Sequence, residues 1–442
     1  MSTPHAPGPE LLAPAGTLQH VEHALAYGAD AVYAGMPRYS LRVRNNSFSG
    51  VDTLRTGIDM AHAAGGRFYL AANITAHQAK VHTFLRDITP VIELQPDALI
   101  MADPGLIMLV REKWPEMRVH LSVQASTVNA AAVRFWQHMG LKRVILSREL
   151  SLNEIEQIRQ ECPDMELEVF VHGAMCIAYS GRCLLSGFFN HRDANQGTCT
   201  NACRWQYQLQ PAASDATGDL VPMRTERHPQ ANQPFLLEES ERPGQWMPME
   251  EDEHGTYILN ATDLRAIEHV HRLTAIGVDS VKIEGRTKSP YYVSRAARAY
   301  RAALNDAAAG RPFNPELLTD LEGLANRGYT DGFLVRNRDR TETYERGHSE
   351  SDYRLLVGAI RSYNPDTGEA DIEVKNRFSL EDTLEVMTPS GNLKLRGFVM
   401  HNFDGESVSV APGSGHWVRL ALPPGDYRHA FVLRCLDKES AL

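Results

Sequence analysis

Long apolar runs are missing from this chain. None of its 442 residues falls in an uninterrupted apolar stretch of the ~18 residues that a membrane span needs. Met1 to Pro9 is polar and proline-rich, with no basic patch followed by an apolar core, so it does not read as a secretory leader. These absences lead to the expectation of a cytoplasmic protein with no membrane partner. In a reducing compartment, clustered cysteines point to metal rather than disulfides. Several catalytic signatures are also absent. No G-x-G-x-x-G turn marks a dinucleotide site, no H-E-x-x-H helix marks a zinc peptidase, and no G-x-S-x-G elbow marks a serine hydrolase. Excess positive charge is lacking too, since the net charge is −10.

That negative balance argues at first against a polyanionic partner, but it is unevenly spread. Residues 211–256 carry ten acidic and three basic side chains, a net of −7, which leaves the rest of the chain near −3. Arg38, Arg42 and Arg44 form a locally basic stretch, as do Arg182, Arg192 and Arg204 against Asp193. Charge alone does not predict nucleic-acid binding here.

What the chain does have is alternation. Short apolar β-type runs lie at Glu10–Ala13, Ala31–Ala34, Arg67–Asn73, Ala98–Ala102, Arg118–Ser122, Arg143–Leu146, Leu167–His172 and Ser280–Ile283. Helical spacing follows the first (His20, Val21, Ala24, Leu25) and the sixth (Ile155, Ile158, Arg159). Leu264, Ile267, Val270 and Leu273 predict a helix entering the eighth. Continuous apolar strands separated by helices mean a parallel sheet covered on its outer face. Eight units predict an α/β fold, a (β/α)8 TIM-like barrel over residues 1–325. An open doubly wound sheet is the alternative.

In such a barrel the chemistry sits at the C-terminal ends of the strands. The polar residues expected there are Asn73, Asp103, Ser122 with Gln124, Arg148 with Glu149, His172, and Glu284 with Arg286; Arg42 and Arg44 follow the second strand. Asp103, before Pro104, also reads as a helix N-cap. Glu284 and His172 are candidates to move protons.

Residues 326–352 are polar and read as a linker. From 353 to 442 the runs are short and β-like, separated by Asn364-Pro365-Asp366, Pro389-Ser390-Gly391-Asn392, Asp404-Gly405 and Pro423-Pro424-Gly425, which predicts a small antiparallel β-barrel or sandwich. The acidic insertion, 211–256, lacks clean periodicity and reads as a lid or substrate-facing flap.

Four of the six cysteines fall within 28 residues: Cys176, Cys183, Cys199 and Cys203, spaced C-x6-C, fifteen residues, C-x3-C. Four thiolates suit zinc or an iron–sulfur cluster. Zinc knuckles are usually tighter than the first pair, which favours the cluster and leaves zinc as the alternative. Cys162 and Cys435 read as buried structural thiols.

The same segment carries a resemblance. Glu168-Val-Phe170-Val-His172-Gly173-Ala-Met-Cys176, Gly181-Arg182-Cys183-Leu-Leu-Ser186 and Arg192-Asp193-Ala-Asn195-Gln196-Gly197-Thr-Cys199-Thr-Asn201-Ala-Cys203-Arg204-Trp205 resemble the signature of the collagenase-like peptidases of unassigned catalytic type. Glu10-Leu-Leu-Ala-Pro14-Ala-Gly16 and Lys282-Ile-Glu284-Gly285-Arg286 are similar to that family as well, and the resemblance covers the whole chain. Length and domain order look most like its tRNA uridine hydroxylase branch. The resemblance implies 5-hydroxyuridine formation at the wobble position, prephenate as co-substrate, and a four-iron cluster on Cys176, Cys183, Cys199 and Cys203. The polar strand ends make Glu284, Arg286, His172, Asn73 and Gln124 the catalytic candidates. Prephenate is a dicarboxylate, which Arg42, Arg44, Arg148 and Arg286 suit as forked donors. Arg38, Arg42 and Arg44, with the C-terminal domain, are the expected contacts to a tRNA anticodon stem-loop. Assembly with itself or with family relatives is a further expectation. Peptidase activity, or hydroxylation of a ubiquinone precursor or ribosomal RNA, are the alternatives.

Overall fold

Short apolar runs, each ended by a polar residue that starts the next helix, build the first part of the chain. The structure, a computed structural model, describes residues 8–41, 46–175, 179–183, 185–186, 192, 194–200, 262–285, 288–326, 328–335 and 353–436, and the backbone of short strands between 212 and 257. Its strands are β1 (Glu10–Pro14), β2 (Ala31–Gly35), β3 (Arg67–Ala72), β4 (Ala98–Met101), β5 (Val119–Leu121), β6 (Arg143–Ile145), β7 (Glu166–Ala174) and, after a short β8 (Asp263–Arg265), β9 (Ser280–Ile283). β1 to β7 pair in parallel sequence order. β9 pairs in parallel with both β1 and β7, which closes an eight-stranded barrel. The open-sheet alternative is thereby excluded.

Helices α1 (Leu18–Ala26), α2 (Val51–Ala63), α3 (Gln78–Ile92), α4 (Pro104–Lys113), α5 (Ala130–His138), α6 (Leu152–Glu161), α7 (Val270–Ile276) and α8 (Pro290–Ala308) surround the sheet. Their starts follow capping chemistry. Asp103 accepts the Leu106 amide at 3.0 Å ahead of Pro104, and Ser151 with Glu154 forms a capping box. Leu264 does not join α7: it lies in β8, which runs antiparallel to the end of β7, and the helix starts only at Val270. Apolar spacing of three fits either geometry, because both bury Leu264.

The barrel interior is not purely apolar. Strand alternation turns Glu10, Arg143, Glu168, Ser280 and Lys282 inward, and all are buried. Arg143 meets Glu10 at 2.6 Å, Glu166 at 2.8 Å and Glu168 at 3.1 Å. Lys282 Nζ lies 2.9 Å from Glu168, and Arg67 reaches Glu10 at 2.6 Å. Three carboxylates thus face three cations. Burial alone would push the Glu10 carboxyl up, but Arg143, with Tyr69 and Arg67, holds it below the usual range. His120, enclosed among these cations, is pushed well down by burial first and by Arg143 and Lys282 next.

The stretch read as a linker begins with structure. Tyr329–Thr330, β10, pairs in parallel with β8, and buried Leu334 accepts a hydrogen bond from the Leu152 amide at 3.1 Å. Its polar composition hid this, because among its described residues only Leu334 is deeply buried on an apolar side chain. The acidic insertion contains a hairpin, Ala212–Ser214 with Leu220–Pro222, and a three-stranded antiparallel sheet of Phe235–Glu238, Trp246–Asp252 and Gly255–Tyr257.

The C-terminal part forms β11 (Arg354–Asn364), β12 (Glu369–Val374), β13 (Phe378–Ser379), β14 (Leu384–Thr388), β15 (Gly391–Leu395), β16 (Met400–His401), β17 (Val410–Ala411), β18 (Trp417–Ala421) and β19 (Phe431–Cys435). Seven of these make one antiparallel sheet in the order β15-β14-β19-β11-β12-β18-β16, and β13 pairs with β17. Pro389-Ser390 is indeed a turn, but Gly391-Asn392, expected within it, already belongs to β15. This domain has its own core around Ile372, Phe378, Val386, Leu420 and Val432. It docks on α1 and α8. Phe431, from β19, packs its ring against His23, Tyr27 and Tyr291 and is buried in the barrel's core cluster. The Tyr27 hydroxyl donates to Met387 O and His429 O, both at 3.0 Å.

Two stability predictions follow from these contacts. Glu168→Gln leaves Lys282 and Arg143 under-compensated in the interior and should lower the unfolding free energy by about 3–5 kcal/mol in urea denaturation; a loss below about 1 kcal/mol would contradict the ionic reading. Phe431→Ala should cost about 3–5 kcal/mol and lower the melting temperature of barrel and C-terminal domain together in calorimetry, whereas an unchanged barrel transition would show that the seam carries no stability.

Candidate active site

Glu284 follows Lys282 by two residues and so extends the inward row of β9 into the barrel mouth. Its carboxylate accepts from the Tyr33 hydroxyl at 3.3 Å, which also donates to Ile283 O at 3.0 Å. The Lys282 ammonium stands 4.2 Å from the centre of the Tyr33 ring, so the same tyrosine links the buried ion pairs to the mouth. Arg148 completes the group. Its guanidinium lies 3.8 Å from Glu284, stacks 4.0 Å over the Phe170 ring and donates to Ala174 O at 2.9 Å. Its Nε is buried without a hydrogen-bond partner among the described residues.

Backbone conformation makes this approach possible. Gly173 has φ +108°, and a Cβ there would collide with the Glu284 carbonyl. The Glu284 amide donates to His172 O at 2.8 Å, so β7 and β9 stay joined up to the mouth.

Asn73 and Gln124 follow the ends of β3 and β5, with β4 between them. Asn73 donates to Ser122 Oγ at 3.2 Å and accepts the Leu41 amide at 3.3 Å. Ser122 Oγ also accepts the Gln124 amide at 3.3 Å.

His172 is placed differently from the expectation. It is wholly buried against Tyr292, Tyr300 and Tyr329, with ring centres 5.5–5.7 Å away, and its Nε2 has no hydrogen-bond partner among the described residues. Tyr292 and Tyr300 belong to α8, outside the barrel, whereas Phe170 faces the interior. The reason is a bulge: Lys282 pairs with Phe170 but Ile283 pairs with His172, which inverts the alternation of β7. Burial pushes the His172 imidazole down to about 3, so it is the neutral imidazole near neutral pH. Arg38 is also not a free cation at the mouth. Its side chain is 61% exposed and pairs with Asp87 at 2.9 Å. Arg42, Arg44 and Arg286 lie outside the described residues.

Beyond β7, the cysteine-bearing segment crosses the mouth. The Ser126 hydroxyl donates to Ser180 O at 2.7 Å, and Gly181, at φ +79°, fits where any Cβ would strike Gln124 O. Asn195 donates to Gly181 O at 3.0 Å and accepts the Thr75 amide at 3.1 Å. Ser186 and Thr200 hydrogen-bond at 3.0 Å between hydroxyls, and the Thr200 amide donates to Ser186 Oγ at 2.9 Å. These bonds run the stretch of half-buried Cys183 beside that of exposed Cys199, over the loops after β3 and β5. Cys176 and Cys203 lie outside the described residues. Cys162 is buried, while Cys435, expected to be so, is only half-buried at the end of β19.

The interior ion pairs are the feature that strand-by-strand reading passes over. The signal was present as charges inside apolar runs, Arg143 in Arg-Val-Ile, Glu168 in Leu-Glu-Val and Lys282 in Val-Lys-Ile.

Comparison with known proteins extends over the chain. A protein of Escherichia coli (strain K12) named "tRNA hydroxylation protein P" is 56% identical over 450 residues, covering 98% of each chain. The protein of the same name from Haemophilus influenzae is 53% identical, covering 97% of this chain and 96% of its own. Among solved structures, the U32 peptidase Mk0906 matches 64% of this chain and 97% of its own at 12% identity, with a TM-score of 0.37. The family model for peptidase family U32 matches residues 16–344, and that for the U32 C-terminal domain matches 353–434. With its closed barrel, its cysteine segment over the mouth and its C-terminal sheet, the chain belongs to peptidase family U32.

Proposed function

We propose that this protein hydroxylates the wobble uridine of transfer RNA in the cytoplasm, in a prephenate-dependent reaction, with an iron–sulfur cluster held by Cys176, Cys183, Cys199 and Cys203. One observation carries the reading: end-to-end similarity, through both domains, to proteins named for tRNA hydroxylation. Among the described residues no helix is long and apolar enough to cross a membrane.

The donor set suits the cluster. Cys183 and Cys199 sit on adjoining stretches at the barrel mouth, and four thiols without a histidine are the donors that iron–sulfur chemistry uses. When bound, the cluster supplies thiolate-held iron able to pass electrons or to bind a substrate group.

The chain's own residues do the remaining work. A wobble base must leave the anticodon stack to enter the mouth. Asn73 and Gln124 offer side-chain amides for the polar edge of a uracil. Arg148 offers a guanidinium for a carboxylate, its plane fixed by Phe170. Glu284, steadied by the Tyr33 hydroxyl and beside the Arg148 guanidinium, is the carboxyl group placed to take a proton from the reacting base.

Nucleoside mass spectrometry of tRNA tests this. A strain lacking the gene should lose 5-hydroxyuridine and its derivatives. Wild-type protein should restore them and Cys183→Ala should not. Protein purified without oxygen should carry iron and acid-labile sulfide in near-equal amounts. An unchanged nucleoside profile on deletion overturns the function, and stoichiometric zinc with no visible absorbance overturns the cluster.

A further inference from the structure

The seam between α1 and the C-terminal sheet holds a donor set that the barrel chemistry does not use. Glu22 and His23 stand on the last turns of α1, and His429 stands in the turn before β19. One ligand atom from each lies within 4.8 Å of the others, and His429 Nδ1 is 3.7 Å from Glu22 Oε1. They border a cleft of about 700 Å³ between the two domains, shared with Arg361, Tyr363 and Tyr427.

Three features prepare the set for a metal ion. His23 Nδ1 donates to the Gln19 carbonyl at 2.9 Å, which leaves the lone pair on Nε2. A backbone carbonyl on the far ring nitrogen is the usual way a ligating histidine is oriented. His23 is also buried against Phe431, so its ring is held in place. His429 is held by its backbone, since it adopts a left-handed φ of +62° and its carbonyl accepts the Tyr27 hydroxyl at 3.0 Å. A residue with a Cβ rarely takes that conformation unless its surroundings impose it. Glu22 is the movable member, with its side chain 49% exposed, so its carboxylate can move onto an ion that the two histidines approach. The nearby arginines are paired, although the Arg361 charge still reaches His23. Arg361 is taken up by Glu373, and Arg428 by Asp426 at 2.9 Å.

We infer that Glu22, His23 and His429 form a divalent transition-metal site of the zinc class, with water completing the coordination from the cleft. Two imidazoles and one carboxylate with an open position match the donor preference of such ions. The ion ties α1 of the barrel to the C-terminal sheet, beside the Phe431 contact. This site is independent of the cysteine cluster and of the tRNA reading, and it stands or falls without them.

Cobalt(II) titration of the full-length protein tests it. Cobalt on nitrogen and oxygen donors gives visible d–d bands without the near-ultraviolet thiolate charge-transfer band that cysteine-bound cobalt would show, so the two sites separate spectrally. Wild-type protein should bind one equivalent with the nitrogen–oxygen signature, zinc should displace it, and zinc should raise the melting temperature. Glu22→Gln, a change at a half-exposed side chain, should weaken the cobalt affinity at least tenfold and abolish the zinc-dependent rise. His429→Gln should do the same, with near-ultraviolet circular dichroism confirming that the seam stays folded. Thiolate-type cobalt spectra only, or an unchanged nitrogen–oxygen signal in both variants, would overturn the site.

Discussion

The ion cluster around Arg143 is the constraint on which the barrel depends. Through Glu10, Arg67, Glu166, Glu168 and Lys282 it joins β1, β3, β6, β7 and β9, five of the eight strands that close the wall. An apolar core of equal volume could match its stability, because taking charges from water costs nearly what their pairing returns. What paired charges add is position. A one-residue slip of β9 would turn Lys282 away from Glu168 and bury it unpaired, so the register is enforced. That register sends Glu284 into the mouth, where Tyr33 and Arg148 meet it.

The C-terminal ends of the strands are then roofed by one connection. The segment after β7 rests on the Thr75 amide and the Ser126 hydroxyl and passes close over the Gln124 carbonyl. Cys183 and Cys199 belong to the described part of that roof, beside the loops after β3 and β5. The C-terminal sheet sits elsewhere, on α1 and α8, and shares core with the barrel through Phe431 and Met387. It is therefore built into the fold rather than appended to it, and a metal ion between Glu22, His23 and His429 would reinforce the same seam.

Much of this was readable from residue pattern, and the failures have physical reasons. Apolar β-type runs marked all eight barrel strands, because a parallel sheet covered by helices leaves them no polar face. Asp103-Pro104 marked a helix start, because the cap satisfies an amide and proline needs none. The partners of Arg143 were not readable, since Glu10 lies 133 positions away and only barrel closure brings it near. Strict alternation would point His172 inward, and a single bulge between β7 and β9 instead turns it out among tyrosines. The Asp87 partner of Arg38 was not readable, because it lies far along the chain. The Glu22, His23 and His429 group spans two domains and leaves no local spacing to notice.

The central claim is that Glu284, at the top of the ionic column, serves the chemistry of the mouth. Glu284→Gln keeps the size and the hydrogen bond to Tyr33 while removing the charge. tRNA nucleosides should be measured by mass spectrometry in a strain whose only copy is this variant, alongside the iron content of the purified protein. The account predicts hydroxylated uridine reduced at least a hundredfold with iron content and melting temperature near wild type. Normal hydroxylation in that strain would contradict it and move the working residues away from the mouth.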